Sequence, residues 1–562
     1  MCTAMNIVHL SVKHFRGIRS LEWSPPAGAV CLVGRGDSGK TTLLEAIELA
    51  LFPRWFQFVE SDFFGNSTAD AIEIEVTVIG VPAQLLTQDK FGLEQRGWTA
   101  DGEIRDEPED DDEPALTIRL RVDDALEPTW HVASERNQEG RTISARDRDA
   151  LGVARIGDDV ERQLSWVRGS SLAHVTGSAQ SISAALAEAH RSAREAVSQN
   201  QYPQLSDSAA QAGEWGVRYG AQLDLPLTVG VDPRQLNVGS GALSLRQDSG
   251  VPASAIGLGS RRLLGLAIQR QAIASGVVTL VDEIEYGLEP HRLRHLLNEL
   301  RNSGLQVLMT THSETAVAEL GSDGLALVRR DEQGDVEIRH PSEALQSVIR
   351  ALPEAILGRK VIVCEGSTEW GMSRSLVLHW DESHDRPLAS IGAVFVPGGG
   401  GRAAKRAAEF RQLGFPCIYW GDSDAPTNPT TEELDALGVE VITWADNLST
   451  EQRIMADVPS DVLERLWDIA AQESSESAIC DRLASALDLE GRPPRDWNEW
   501  GSAYSIEELR SAFGIAASTS GWYKNTRAGQ RIGAVIADVL DQIADTDLAI
   551  KLEELRSRVY GD

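Results

Sequence analysis

Two short segments hold acids where phosphate chemistry would need them. In Lys360-Val361-Ile362-Val363-Cys364-Glu365-Gly366-Ser367-Thr368-Glu369 an apolar strand ends in Glu365, a glycine turn follows, and Glu369 opens a helix. In Pro416-Cys417-Ile418-Tyr419-Trp420-Gly421-Asp422-Ser423-Asp424 a second apolar strand ends in Asp422 and Asp424. In a doubly wound parallel sheet the carboxyl ends of the strands share one edge, so these four acids can converge. Converging carboxylates repel one another unless cations neutralise them. An all-oxygen set with room for water suits Mg²⁺ or Mn²⁺, and two such ions stabilise the attacking and leaving oxygens of a phosphodiester displacement. Either acid pair alone also reads as ordinary helix capping.

A second chemical signal lies near the start of the chain. Gly34-Arg35-Gly36-Asp37-Ser38-Gly39-Lys40-Thr41 matches GxxxxGK[ST], between the apolar run Val30-Cys31-Leu32-Val33 and a helical pattern that begins at Thr42. Glycines let backbone N–H groups close on phosphate oxygens, Lys40 reaches the outer phosphates, and the Thr41 hydroxyl ligates Mg²⁺. Its partner is Val277-Val278-Thr279-Leu280-Val281-Asp282-Glu283, a buried-strand run ending in two acids. Asp282 suits the Mg²⁺ surroundings, and Glu283 suits the base that orients an attacking water. Gly287-Leu288-Glu289-Pro290 follows, then a strand delivering His312 and Ser313. A lone histidine is more often structural, but His312 comes where a γ-phosphate contact is expected.

The elements that must position these residues need two large domains, which 562 residues readily supply. The layout read from the sequence is a nucleotide-binding lobe over 1–165, a helical insertion over 166–225 suited to dimerisation, a second lobe over 226–345, and an acid-bearing domain over 346–562. Strand-like segments such as AIEIEVTVIG and ALTIRLRV predict an antiparallel sheet within the first lobe. Hydrophobic and charged shares of 42% and 25% are those of a globular protein. There is no apolar run of about 18 residues to span a bilayer, no secretory pattern at the N-terminus, and no sustained heptad repeat. Five scattered cysteines without CxxC spacing predict reduced thiols in the cytoplasm rather than a disulfide or zinc framework. A net charge of −32 means that any contact with nucleic acid must be local. Part of that excess, Asp106 to Glu113, reads as a solvated loop.

From Gly34 to Ser313 the order of motifs resembles the ABC ATPase family over roughly residues 5–340. Gly257-Leu258-Gly259-Ser260-Arg261-Arg262 stands where that family has its signature loop, although LSGGQ itself is absent. The resemblance implies a homodimer or larger homo-oligomer, with Ser260 reaching the nucleotide of the partner head and Gln57 as a candidate Q-loop glutamine. The two acid segments resemble the Toprim domain, and the glycine-plus-second-glutamate form resembles the OLD (overcoming lysogenisation defect) nucleases, in which Toprim follows an ABC ATPase. The implied fold is α/β: an ABC-type head with an antiparallel β-subdomain, followed by a Rossmann-like Toprim domain.

Carried over by matching segments, the resemblance makes Glu365, Glu369, Asp422 and Asp424 metal ligands, with Glu451 a further acid and Glu365 also in proton transfer. Gly521-Trp522-Tyr523-Lys524 resembles the aromatic-aromatic-lysine element of OLD nucleases, in which Lys524 would stabilise charge on the scissile phosphate. Arg402, Lys405, Arg406, Arg527 and Arg531 offer local positive charge for DNA or ordinary solvated helix faces. The implied activity is ATP-regulated, Mg²⁺- or Mn²⁺-dependent DNA cleavage in anti-phage defence, either alone or beside a UvrD-like helicase as in Gabija systems.

A topoisomerase would need a further domain with a tyrosine nucleophile, and a bacterial primase would bring zinc-binding cysteines. The main alternative is an ATPase clamp of the RecF or SMC type that binds DNA without cutting it. It leaves Glu365, Glu369, Asp422, Asp424 and Lys524 without a purpose.

Overall fold

The computed structural model describes residues 5–53, 56–156, 255–272, 278–331, 333–490 and 493–561. The predicted insertion at 166–225 lies outside them. The chain divides into two compact units, one of residues 1–16, 22–29 and 43–309, the other of residues 17–21, 30–42 and 310–562.

The first unit contains the expected antiparallel sheet. Asn6–Phe15, Ile72–Ile79 and Glu113–Val122 are successive antiparallel neighbours, extended by Pro128–Ala133. Alternation sets their facing: Ile72, Ile74, Val76 and Val78 are fully buried, while Glu73 and Glu75 between them are half-buried. The acid run beside this sheet is not merely solvated, as the sequence suggested. Asp106 accepts the backbone N–H groups of Glu135 (2.7 Å) and Arg136 (3.1 Å). Asp112 accepts Arg105 Nη1 (3.1 Å) and the Glu109 N–H (2.9 Å). Two members of the run therefore tie loops down.

The same unit has a parallel ladder of Val153–Ile156, Val278–Val281 and Val307–Thr310. In the second unit Ala29–Val33 runs parallel beside Leu325–Arg330, which forms an antiparallel hairpin with Val336–Arg339.

The second unit also contains a four-stranded, all-parallel sheet in the order Ala393–Pro397, Lys360–Cys364, Cys417–Gly421, Glu440–Thr443. Its two central strands are almost continuously buried, as expected where helices cover both faces. The chain leaves Lys360–Cys364 toward one neighbour and returns through Cys417–Gly421 on its other side. The strand order thus reverses between those two strands, at the edge where Glu365 and Asp422 emerge. A tryptophan-rich core that includes Trp380, Trp420, Trp444, Trp467, Trp500 and Trp522 anchors the helices that follow. Two of them, Ser367–Ser383 and Thr526–Ala537, cross at glycines. A Cβ on Gly371 would lie 2.4 Å from the Thr526 carbonyl oxygen, and one on Gly529 would lie 2.4 Å from that of Thr368. No helix among the described residues is long and apolar enough to cross a membrane.

Candidate functional site

The glycine-rich loop leaves the buried strand Ala29–Val33 and ends at the helix Lys40–Leu51. Gly34 has a φ of 156°, and a Cβ there would meet the Val328 carbonyl oxygen at 2.3 Å, so a side chain is sterically excluded. Asp37 also lies at positive φ, 60°. The buried Lys40 donates its ammonium to the carbonyls of Gly34 (2.9 Å) and Arg35 (2.8 Å). Ser38 Oγ is buried with no hydrogen-bond partner among the described residues, an orphan that a phosphate oxygen would satisfy. Gly36, Gly39, Thr41 and Thr42 complete the loop and first turn. A buried lysine, an orphaned hydroxyl and a helix N-terminus together fit a nucleotide's phosphates.

In the first unit Asp282 follows the strand Val278–Val281 and pairs with Arg155 at 3.4 Å, while Arg155 also pairs with Glu48. Glu283 has a φ of 47°, a conformation that costs a β-carbon-bearing residue energy and concentrates at functional sites. Arg262, 1% exposed, holds this turn by donating to the carbonyls of Asp282 and Glu283, the latter at 2.7 Å. The helix Leu258–Ala272 is thereby fastened to the acid pair. Ser260 on its first turn is exposed and accepts Arg292 Nη1 at 3.4 Å. His312 and Gln57 are exposed.

The acids of the second unit meet at the switch edge of the parallel sheet. Glu365 Oε2 accepts the Tyr419 hydroxyl at 2.8 Å and the Asp422 N–H at 2.7 Å. Asp422 Oδ1 accepts the N–H and hydroxyl of Thr450 at 2.5 and 2.7 Å. Glu369 turns back to the Gly366 N–H (2.8 Å). The Thr368 hydroxyl lies 3.2 Å from Glu451 Oε1 and 3.0 Å from the Tyr523 carbonyl oxygen. Glu369 and Glu451 are 3% and 2% exposed, whereas Asp424 and Lys524 are exposed. A Cβ on Gly421 would lie 2.3 Å from Glu365 Oε2, so glycine at the strand end is what admits that carboxylate.

Burial pushes the Glu369 carboxyl well above the usual carboxylate range. Glu451 adds to the shift, and hydrogen bonding from Thr450 opposes it. Asp422 is also raised, by burial first, then by Glu369, with Glu365 and Glu451 contributing and Thr450 opposing. Tyr419 and Tyr523 are raised by burial and then by Glu365 and Glu451 respectively. Glu369 and Asp422 are thus both pushed toward the protonated form by burial and by neighbouring carboxylates, a perturbation of the kind that clusters at functional sites. Their all-oxygen chemistry fits a hard divalent cation. Among the described residues, no three His, Cys, Asp or Glu side chains already form a metal-holding group. Glu365, Glu369, Asp422 and Glu451 each have one oxygen committed to their own fold.

Comparison with known proteins decides the identity of the nucleotide-binding part. Residues 29–318 match the family model described as "AAA domain, putative AbiEii toxin, Type IV TA system". The chain belongs to this family. It is an ATP-binding ATPase of mixed α/β fold. A 56-residue segment is 41% identical to the DNA replication and repair protein RecF of Nitrosococcus oceani, covering 10% of this chain and only 15% of that relative. Among solved structures, an SMC head bound to the C-terminal winged-helix domain of ScpA aligns at 18% identity and a TM-score of 0.34, over 60% of this chain and 98% of that one. ATP-bound RecF aligns at 13% identity and a TM-score of 0.33, over 60% of this chain and 99% of that one. The SMC head domain from Thermotoga maritima aligns at 15% and 0.31, with the same coverages of 60% and 99%.

Beyond the ATPase domain, Glu365, Glu369, Asp422 and Glu451 come together, while Asp424 and Lys524 lie on exposed positions next to them in sequence. Arg406 does not offer charge to DNA: it is 8% exposed and donates to the carbonyls of Pro397 (2.9 Å) and Gly398 (2.7 Å), closing the glycine run. Arg402, Lys405 and Arg527 are exposed. Tyr419, Thr450 and Thr368 escaped the sequence reading. Only Thr450 had a usable signal, since Ser449 and Gln452 form a capping box that sets its N–H groups at a helix start.

Proposed function

We propose that this protein is an ATP-regulated, metal-dependent DNA endonuclease of the OLD type, with the ATPase governing a Toprim-like site, and that it serves bacterial anti-phage defence. The observation carrying this reading is the convergence of Glu365, Glu369, Asp422 and Glu451 at the reversal of a parallel sheet, where ligands characteristically bind. In this reading Glu365, Glu369, Asp422, Asp424 and Glu451 hold Mg²⁺ or Mn²⁺. The metal would supply Lewis-acid stabilisation to a scissile phosphate. Tyr419 and Thr450 fix the orientation of Glu365 and Asp422. Glu365 also accepts or relays a proton, and Lys524 balances charge on the phosphate. Glu283 serves as the base for ATP hydrolysis, with Asp282, His312 and Ser260 assisting nucleotide binding. A homodimer or larger homo-oligomer in the cytoplasm, with a UvrD-like helicase as partner, completes the proposal.

The deciding experiment incubates supercoiled and linear DNA with Mg²⁺ or Mn²⁺, with and without ATP, for wild type, Glu365→Ala and Lys40→Ala. Cleavage lost in Glu365→Ala and altered in its ATP response by Lys40→Ala supports the nuclease. The segment shared with RecF favours a second reading, a DNA-binding ATPase clamp. DNA binding and ATP hydrolysis without cleavage under any metal condition would support the clamp and refute the nuclease.

A further inference from the structure

The second unit contains a cavity of about 430 Å³ whose lining includes none of the clustered acids; it is lined by Arg329, Arg330, Arg339 and Arg411, with Asp331 and Glu337 as the acids. In a chain of net charge −32, four guanidinium groups around one hollow are an outlier. The two acids offset them only in part. Asp331 accepts the N–H groups of Gln333 and Asp335 at 2.8 Å each, and Glu337 serves Arg339. Arg330 is satisfied by the carbonyls of Gly17 (2.9 Å) and Gly334 (2.7 Å). Arg329 differs. Its guanidinium stacks 3.6 Å from the Phe415 ring centroid, and its Nη1 is buried without a hydrogen-bond partner among the described residues. Burial lowers its pKa to about 10, with the charges of Arg35 and Arg339 adding to the effect. Like charges held together with a donor unused are costly unless an anion joins them.

Gly414, with a φ of 82°, lines the floor, where a Cβ would come within ordinary contact of Arg339 Nη1 (3.5 Å) and Arg329 Cδ (3.6 Å). The volume falls within the usual range for small-ligand pockets, roughly 300–1,000 Å³. Planar guanidinium forks suit phosphate oxygens, which accept two parallel N–H bonds.

We propose that this cavity binds a small phosphate ester or polyphosphate, held by Arg329, Arg339 and Arg411, as a site separate from the P-loop. Its two walls lead to both chemistries. Arg329 is next to last in the strand that lies parallel to Ala29–Val33, from which the P-loop springs. Arg411 and Gly414 lead into the strand Cys417–Gly421, which ends at Asp422. An anion here would hold the end of the first strand and the approach to the second around one charge, whether or not the acid cluster cuts DNA.

The test is calorimetric titration of the full chain with inorganic pyrophosphate. Lys40→Ala disables the P-loop and should leave one pyrophosphate bound per chain. Adding Arg329→Gln or, separately, the more exposed Arg339→Gln should weaken that remaining binding by roughly tenfold or more. In the Lys40-intact background the same arginine variants should retain P-loop binding of ATP, showing that they fold. AMP should displace the pyrophosphate. Loss of all pyrophosphate binding in Lys40→Ala, or undiminished binding in both arginine variants, overturns the proposal. So does displacement by a 5′-phosphorylated oligonucleotide but not by AMP, which would reassign the cavity to nucleic-acid phosphate.

Discussion

Asp422 donates its backbone N–H to Glu365 Oε2 at 2.7 Å, while Glu365 donates its own N–H to the Trp420 carbonyl at 2.8 Å. Two acids from adjacent parallel strands are therefore locked in register by backbone, and the Glu365 side chain cannot leave without stranding a donor. Glu365→Gln keeps an acceptor for Tyr419 and Asp422 but removes the charge. The expected outcome is an intact fold, unchanged ATP hydrolysis and DNA cleavage reduced by roughly a hundredfold or more, on the scale of losing an electrostatic catalytic group. Cleavage assays beside a thermal melt check it. Wild-type cleavage in a folded Glu365→Gln protein would remove Glu365 from the metal set.

Thr450 offers a gentler probe. It gives two hydrogen bonds to one oxygen of Asp422 and receives one from Trp444 Nε1 at 2.7 Å. Thr450→Val deletes the hydroxyl at nearly constant volume and preserves the backbone donor. Metal affinity, read by Mn²⁺ titration, should fall by about 10- to 100-fold, as for other partners that orient a ligand. An unchanged affinity would mean that Asp422 is held by its backbone alone.

How much of this was legible in the sequence depended on whether the determinant was contiguous. The glycine-rich loop and the acid that follows each of the two strands were readable as local patterns because each sits within a few positions of the strand that carries it. Thr368, Tyr419 and Arg262 were not, because what makes them matter is a partner far along the chain, such as Glu451 for Thr368 or the carbonyls of Asp282 and Glu283 for Arg262. Arg406 misled for the same reason. On a polar helix it reads as solvated, yet the carbonyls exposed by the glycine run draw it inward.

The raised carboxyls make stability depend on pH in a definite direction. A carboxyl with an elevated folded pKa is favoured by the fold in its protonated form. Its contribution is full below the unfolded value of about 4 and is lost as pH rises through the folded value. Glu369 and Asp422 both lie in this class. Melting in EDTA should therefore show a component of stability that declines from about pH 4 through neutral pH, and Glu369→Gln should flatten it. On the proposed metal reading Mn²⁺ would take the place of the protons, so its stabilising shift should be larger near pH 8 than near pH 5. Identical pH profiles for wild type and Glu369→Gln in EDTA would contradict the raised Glu369 carboxyl.

Arg262 offers a test of whether nucleotide binding and hydrolysis can be separated. Its guanidinium holds the carbonyls of the turn in which Glu283 occupies a φ of 47°. Arg262→Ala frees that turn to relax and should lower the ATP hydrolysis rate by tenfold or more, since a small misplacement of a catalytic group costs about that much or greater. ATP affinity, which the proposal assigns to the Lys40 loop, should change little. An equal loss of both would assign Arg262 a global structural role.

The glycine crossing of the two helices supports a last prediction, about Lys524. Thr368 lies on the first of these helices and is within hydrogen-bond distance of both Glu451 and the Tyr523 carbonyl, so the turn bearing Lys524 is tied to the acids through one hydroxyl. That tie requires the helices to touch at Gly371 and Gly529, where the space for a Cβ is already occupied by backbone. Gly529→Ala must push the helix Thr526–Ala537 away, at a cost of about 1–3 kcal/mol for an overpacked contact. The turn then moves while Glu365 and Asp422 keep their places at the strand ends. Metal binding should persist and DNA cleavage should fall as far as in Lys524→Ala, whereas the double variant should be no worse than either single change. Additive losses in the double variant would mean that the helix contact and Lys524 act independently.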